Sequence, residues 1–166
     1  MDSYRKPHAR NIHLLVAAIL GVSACSKTAE PEDVASAMIN EAQVRAVVNE
    51  IREANLQLDS ARYVAPFAED GSVTFVPLNK KGVVMERKII EPYLDTIWAK
   101  TTHPEYAAKD EQITIQGPRA VYTATVVESF LMDGVGENQT TEQKWDIELQ
   151  DGQPKITHIN MKVVAR

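Results

Sequence analysis

The chain has 166 residues, a length that one domain accounts for. Its 18 Lys and Arg stand against 23 Asp and Glu, a net charge of −5 with no basic run, which argues against nucleic acid as a partner. A single cysteine excludes an intramolecular disulfide, and the four histidines are too scattered to suggest a transition-metal cluster.

The first 25 residues differ in character from the rest. Met1 to Asn11 carries Arg5, Lys6 and Arg10 against Asp2 alone. Ile12 to Val22 is an apolar run broken only by His13. As a helix it would be roughly 16 Å long, about half the hydrocarbon core of a bilayer, which is too short to span but suits the middle of a signal peptide. The small residues Ser23 and Ala24 then lead to Cys25. Val22-Ser23-Ala24-Cys25 resembles the lipobox read by bacterial lipoprotein signal peptidase. The resemblance implies a signal peptide over 1–24, lipid on Cys25, and a polar tether over 25–33. The competing reading is an ordinary signal peptide with an incidental cysteine. Lipidation would make the membrane a partner and place the protein in the bacterial cell envelope. Ser26 after the cysteine, rather than Asp, implies the periplasmic side of the outer membrane in a Gram-negative organism. Residues 26–166 hold 15 Lys and Arg against 22 Asp and Glu, a net −7, so attachment would rest on the lipid and not on charge.

A folded domain is expected over 34–166. From Val34 the pattern is helical: Val44, Val47, Val48, Ile51 and Leu58 form one apolar stripe, with Asn55 on it. Asp59-Ser60 can cap a second helix over Ala61 to Ala68, and Asp70-Gly71 marks a turn. Ser72 to Pro77 and Val83 to Glu86 read as a hairpin around Asn79-Lys80-Lys81-Gly82. Ile89, Ile90, Tyr93, Leu94, Ile97 and Trp98 give a third helical stripe, which puts Pro92 in its first turn, where a missing N–H costs little. Strands follow over Glu105 to Gln116, Arg119 to Met132, Asn138 to Leu149 and Lys155 to Val164, separated by Gly117-Pro118, Asp133-Gly134 and Asp151-Gly152. Helices first and a long antiparallel meander afterwards indicate an α+β class.

This order resembles the cone-shaped fold of the nuclear-transport-factor-two-like superfamily, with three N-terminal helices packed on a strongly curved antiparallel sheet. Three stretches carry the resemblance. Phe67-Ala68-Glu69-Asp70-Gly71-Ser72-Val73 is similar to the passage into the first strand of SnoaL-like proteins. Arg87 to Trp98 is similar to their third helix, and Lys144-Trp145 through Gly152 to Ile156-Thr157-His158 to their final hairpin. The likeness covers roughly residues 42–164 and implies a ligand pocket at the open end of the cone.

Strand alternation nominates the residues that face such a pocket. Ala120, Tyr122, Ala124, Val126, Glu128 and Phe130 share the more aromatic face of their strand, taken as concave. Glu128 among apolar neighbours would be desolvated and suited to proton transfer; the alternative is a solvated carboxylate at the rim. Trp145 shares a face with Thr141, Gln143, Ile147 and Leu149, either as core or lining the pocket. In the last strand, Ile156, His158, Asn160 and Lys162 alternate with Thr157, Ile159, Met161 and Val163, and either set could face inward. His158 inside would be an acid–base candidate; outside, it would lie at a surface or dimer contact. Asn55, if buried, needs a hydrogen-bond partner, and Trp98 reads as core between the third helix and the sheet. His103, just before Pro104, reads as a loop residue. Candidate pocket residues are therefore Asn55, Trp98, Tyr122, Glu128, Trp145 and His158, with Cys25 for lipidation. There is no glycine-rich phosphate loop or nucleophile elbow, and no metal or cofactor is expected.

Three functions stay open. The first is a lipid-anchored envelope protein that binds a small apolar ligand or an envelope protein partner without catalysis. The second is a SnoaL-like isomerase, dehydratase or cyclase using Glu128 and His158, which requires the two side chains to meet across a closed pocket. The third is a structural module that homodimerises through the sheet, its cavity plugged by Trp98, Trp145 and Phe75. Ketosteroid isomerase chemistry needs a carboxylate base on the first strand, and Val73-Thr74-Phe75-Val76 has none.

Overall fold

Asn40 starts the first helix. Its side chain accepts a hydrogen bond from the Gln43 N–H at 2.9 Å, and the Gln43 side chain accepts one from the Asn40 N–H at 3.0 Å. This capping box satisfies two N–H groups that the helix cannot, so α1 spans Glu41–Gln57 and does not begin at Val34. The computed structural model describes residues 38–165; the expected signal peptide, the expected lipidation at Cys25 and the expected tether lie outside them. Val44, Val47, Val48, Ile51 and Ala54 form the buried stripe of α1, and Leu58 ends it in a left-handed conformation at φ 55°.

The second helix, α2, is shorter than expected, Ser60–Val64, capped by Asp59 on the Arg62 N–H at 2.9 Å. It stops before Pro66, whose carbonyl accepts from the Ile156 N–H at 2.9 Å. The next element, β1, runs Phe67–Val76, straight through the expected Asp70-Gly71 turn. That turn is a bulge: Phe67 faces Ile156 and Ser72 faces His158, so four residues of β1 stand opposite one of its neighbour. Glycine is required there because a Cβ on Gly71 would lie 2.9 Å from two backbone carbonyl oxygens, those of Ala68 and Ile156.

After β2, Val83–Glu86, comes α3, Arg87–Trp98. Pro92 is inside this helix, past the first turn, so the Lys88 carbonyl loses its usual partner there. The helix starts earlier than the proline suggests because the chain turns straight from β2 into it.

Four long strands complete the fold: β3 Thr101–Gln116, β4 Arg119–Met132, β5 Val135–Gln150 and β6 Gln153–Ala165. His103 belongs to β3 and not to a loop, at a register shift between Thr102 and Glu105 where its φ is 52°. Asp133-Gly134 and Asp151-Gly152 both have positive φ at their two central residues, the conformation that matches the twist of a tight hairpin. The sheet order is β2-β1-β6-β5-β4-β3, antiparallel except that β1 and β6 run parallel. This is the α+β cone fold, three helices against a curved sheet, with one parallel pair in the sheet.

Packing follows from strand alternation. Ala120, Tyr122, Ala124, Val126 and Glu128 are buried on the helix-facing side of β4. On β5, Thr141, Gln143, Trp145 and Ile147 are buried on the same side. The Trp145 indole N–H donates to Gln143 at 3.0 Å, and the Gln143 amide donates to Thr141 at 2.9 Å, so the buried polar groups satisfy one another. Alternation fails in β6. Asp146 faces His158 while Ile147 faces Ile156, which leaves Thr157 as an extra residue in a bulge. The bulge lets Ile156, Ile159 and Val163 all turn inward.

Candidate functional site

The helix α1 does not cover the whole sheet. The Ile39 N–H at its foot donates to the Gly117 carbonyl, and Asn55 near its end donates to Glu128, so α1 runs from the β3–β4 turn toward the last third of β4. Beyond Asn55 the sheet continues and α3 stands in front of it, leaving a cavity of about 360 Å³. That is at the lower end of the roughly 300–1,000 Å³ typical of small-molecule sites. Its walls come from every element: Val73 and Phe75 of β1, Met85 of β2, Ile90 and Trp98 of α3, Phe130 of β4 and Met161 of β6 among them.

Glu128 is the polar focus. It is 8 % exposed, yet it lines the cavity. The Asn55 amide donates to its Oε1 at 3.0 Å and the Gln139 amide to its Oε2 at 2.8 Å. Burial pushes the carboxyl pKa up, because the charged form loses its water. The two amides oppose this by bonding the charged form, and burial wins. Each oxygen keeps one acceptor position free for a guest. Tyr63 of α2 also lines the cavity; burial raises its pKa first, and the Glu128 charge raises it further. Its ring meets Trp98 edge-on at 5.8 Å.

Of the six nominated pocket residues, three come together here: Asn55, Trp98 and Glu128. The other three do not line this cavity. Tyr122 is on the expected face but six residues earlier in β4, roughly 20 Å from Glu128 along the strand and under α1. It is 1 % exposed, and its hydroxyl donates to Glu111 at 2.9 Å. Trp145 is core, its ring edge-on to Tyr122 at 5.2 Å. His158 is on the outer face, because the Thr157 bulge turns it away from the side that Ile156 and Ile159 occupy. Its ring nitrogens are 2.9 Å from the Ser72 hydroxyl and 3.2 Å from that of Thr74. Glu128 and His158 therefore face opposite sides of the sheet, and the acid–base pair is not formed. Nor is the cavity plugged, since Phe75 and Trp98 line it and Trp145 lies elsewhere.

Alternation alone missed Gln139, but hairpin counting finds it. Five residues back from Asp133 is Glu128 and five on from Gly134 is Gln139, its cross-strand partner. A second polar cluster lies beside α1, where a register shift in β3 between Lys109 and Gln112 brings Glu111 to Tyr122 and, at 3.4 Å, to Arg52. The Arg52 guanidinium is also 5.4 Å from the Tyr106 ring centre. Among the described residues, no group of three or more His, Cys, Asp or Glu could hold a metal ion. None of the described helices is long and apolar enough to cross a membrane.

No protein family matches the sequence, and no curated protein matches it. Solved structures do. The chain is similar to a ketosteroid isomerase-like protein from Erwinia carotovora atroseptica, at 11% identity over 77% of this chain and 100% of that one, with a TM-score of 0.61. It is similar to a nuclear-transport-factor-two-like protein from Cytophaga hutchinsonii, at 13% identity, 76% and 100% coverage and a TM-score of 0.62. A nuclear-transport-factor-two-like protein with a cystatin-like fold from Novosphingobium aromaticivorans gives 12% identity, 74% and 80% coverage and a TM-score of 0.59. At these identities the likeness is one of fold.

Proposed function

We propose that this protein is a lipid-anchored envelope protein whose cone-fold domain binds a small, largely apolar ligand without catalysis. The observation that carries the binding is the cavity itself: apolar walls converging on one buried carboxylate that two amides hold in place. Such a site gives an apolar ligand its affinity through its walls and its orientation through one polar contact. The anchoring rests on Val22 to Cys25 and the apolar run before them. Binding is favoured over catalysis because β1 gives the cavity Val73 and Phe75 but no carboxylate, and His158 faces away from Glu128. The dimeric-module alternative loses its main support, a plugged cavity.

Native mass spectrometry of the protein purified from membranes, beside Glu128→Ala, tests this reading. A co-purified small molecule lost in the variant is the expected result. A ligand-free protein, unchanged by the substitution, would overturn it and favour an interaction module. A Cys25→Ala variant is expected to leave the membrane fraction, which checks the anchor separately.

A further inference from the structure

The ionisable side chains around the cavity are all of one sign or neutral. Glu105, Glu128 and Glu137 line it, with the phenols of Tyr63 and Tyr93. Among the described residues that line it there is no Lys, Arg or His. Glu128 is buried within, and Glu137, on the same face of the sheet, is exposed at the mouth. Glu105 borders the opening, but its carboxylate is on the outer face, where it accepts from the Ser129 hydroxyl at 2.9 Å. Between mouth and floor stand aromatic faces: Tyr63, Phe75, Tyr93, Trp98 and Phe130.

From this arrangement we infer that the ligand is an organic cation, a protonated amine on an apolar or aromatic body, whose N–H groups bond Glu128 while its positive charge lies among the aromatic rings. This deepens the binding role proposed above and rests on it. A carboxylate or phosphate ligand would meet like charge at the mouth and at the floor with no cation to offset it. A protonated amine instead meets attraction on the way in, because carboxylates flanking a low-dielectric cleft concentrate cations. Inside, it finds free acceptor positions on Glu128 and the negative faces of the rings. The Asn55 and Gln139 amides hold the carboxylate in one orientation but add no charge.

Binding is coupled to the proton on Glu128. In the free protein, burial favours the protonated acid, and an ammonium group favours the carboxylate. The other groups facing this carboxyl are Asn55 on α1, Tyr63 on α2, Tyr106 on β3 and Gln139 on β5, with Glu137 at the rim; the Arg52 guanidinium lies beyond, over the Tyr106 ring and paired to Glu111. None of the facing groups supplies a compensating positive charge. A bound amine would therefore displace a proton from Glu128, and its affinity would rise with pH through the range in which the free acid titrates.

Three probes with one hydrophobic body test this on the detergent-solubilised full chain: phenylbutylamine, phenylbutanol and phenylbutyrate, by titration calorimetry in two buffers of different ionisation enthalpy. The amine is expected to bind at least about tenfold more tightly than the alcohol and to release protons, with the carboxylate weakest. Glu128→Gln, which keeps size and hydrogen bonding, is expected to erase the preference for the amine while the alcohol still binds. That last arm also reports that the variant is folded. Equal binding of amine and alcohol, or tighter binding of phenylbutyrate, overturns the cation assignment and leaves the binding pocket standing. Binding of none of the three overturns both.

Discussion

Removing Asn55 offers a quantitative test of the buried carboxylate. The Asn55 amide is 3.0 Å from Glu128 Oε1, and Gln139 holds the other oxygen at 2.8 Å. A hydrogen bond to a charged group contributes about 1.5–3 kcal/mol, and one between neutral groups about 0.5–1.5 kcal/mol. Asn55 is half-buried beside the cavity, so water can replace part of what is lost, which keeps the expectation away from the top of each range. Asn55→Ala should therefore cost about 2 kcal/mol where Glu128 is charged and about 1 kcal/mol where it is protonated. Urea denaturation at the acidic and alkaline ends of a pH series that spans the Glu128 titration reads both values. Repeating the pair in a Glu128→Leu background isolates the bond, because there the amide has no carboxylate to serve. A coupling energy below about 0.5 kcal/mol at the higher pH, or the same cost at both, would refute the picture of amides that favour the charged form against burial.

Glu128 also predicts how wild-type stability depends on pH. Its folded pKa lies above the unfolded value of 4.5, so the folded state keeps a proton that the unfolded state gives up. Its contribution is fully present below that unfolded pKa and is lost as pH rises through the folded one. Glu128→Gln should flatten that decline and stabilise the protein at alkaline pH, as thermal melts across pH would show; a parallel pH profile would contradict it. Gly71→Ala should cost about 2–3 kcal/mol, since its methyl meets two backbone oxygens at 2.9 Å and neither can rotate away. A loss under about 0.5 kcal/mol in denaturant would mean the β1 bulge yields easily. His158→Ala should leave probe binding unchanged in calorimetry, because its ring bonds Ser72 and Thr74 on the outer face. A tenfold loss of affinity would show that the outer face and the cavity are coupled.

The parts of the site that were legible in the sequence are those governed by an unbroken period. Val44, Val47, Val48 and Ile51 keep the helical repeat, and so Asn55 could be placed on the inward face. Strand β4 keeps strict alternation from Ala120 to Glu128, and so Glu128 could be placed inside. His158 could not be placed, because one extra residue in a strand moves everything beyond it to the other face. No glycine or turn residue in Ile156-Thr157-His158 announces that bulge. The pocket readings of Tyr122 and Trp145 failed differently, Trp145 being core as its other reading had it. Alternation names the face of a side chain but not its depth along the sheet, and depth is set by where α1 lies. Glu137 carries no local signal at all, since only the curvature of the sheet brings it to the opening.

The parallel pairing of β1 with β6 has a consequence for biogenesis. Register ties Phe67 to Ile156 and Val76 to Lys162, contacts between segments far apart in the chain, which close late and slow folding. While the chain folds, the β1–β2 hairpin has its inner edge unpaired, and it stays so until the last strand docks. A nascent chain that stops short of Ile156 exposes Phe67 and Val73, apolar groups that the finished protein buries. Until then it presents an open strand edge to other chains, the kind of surface through which folding intermediates aggregate.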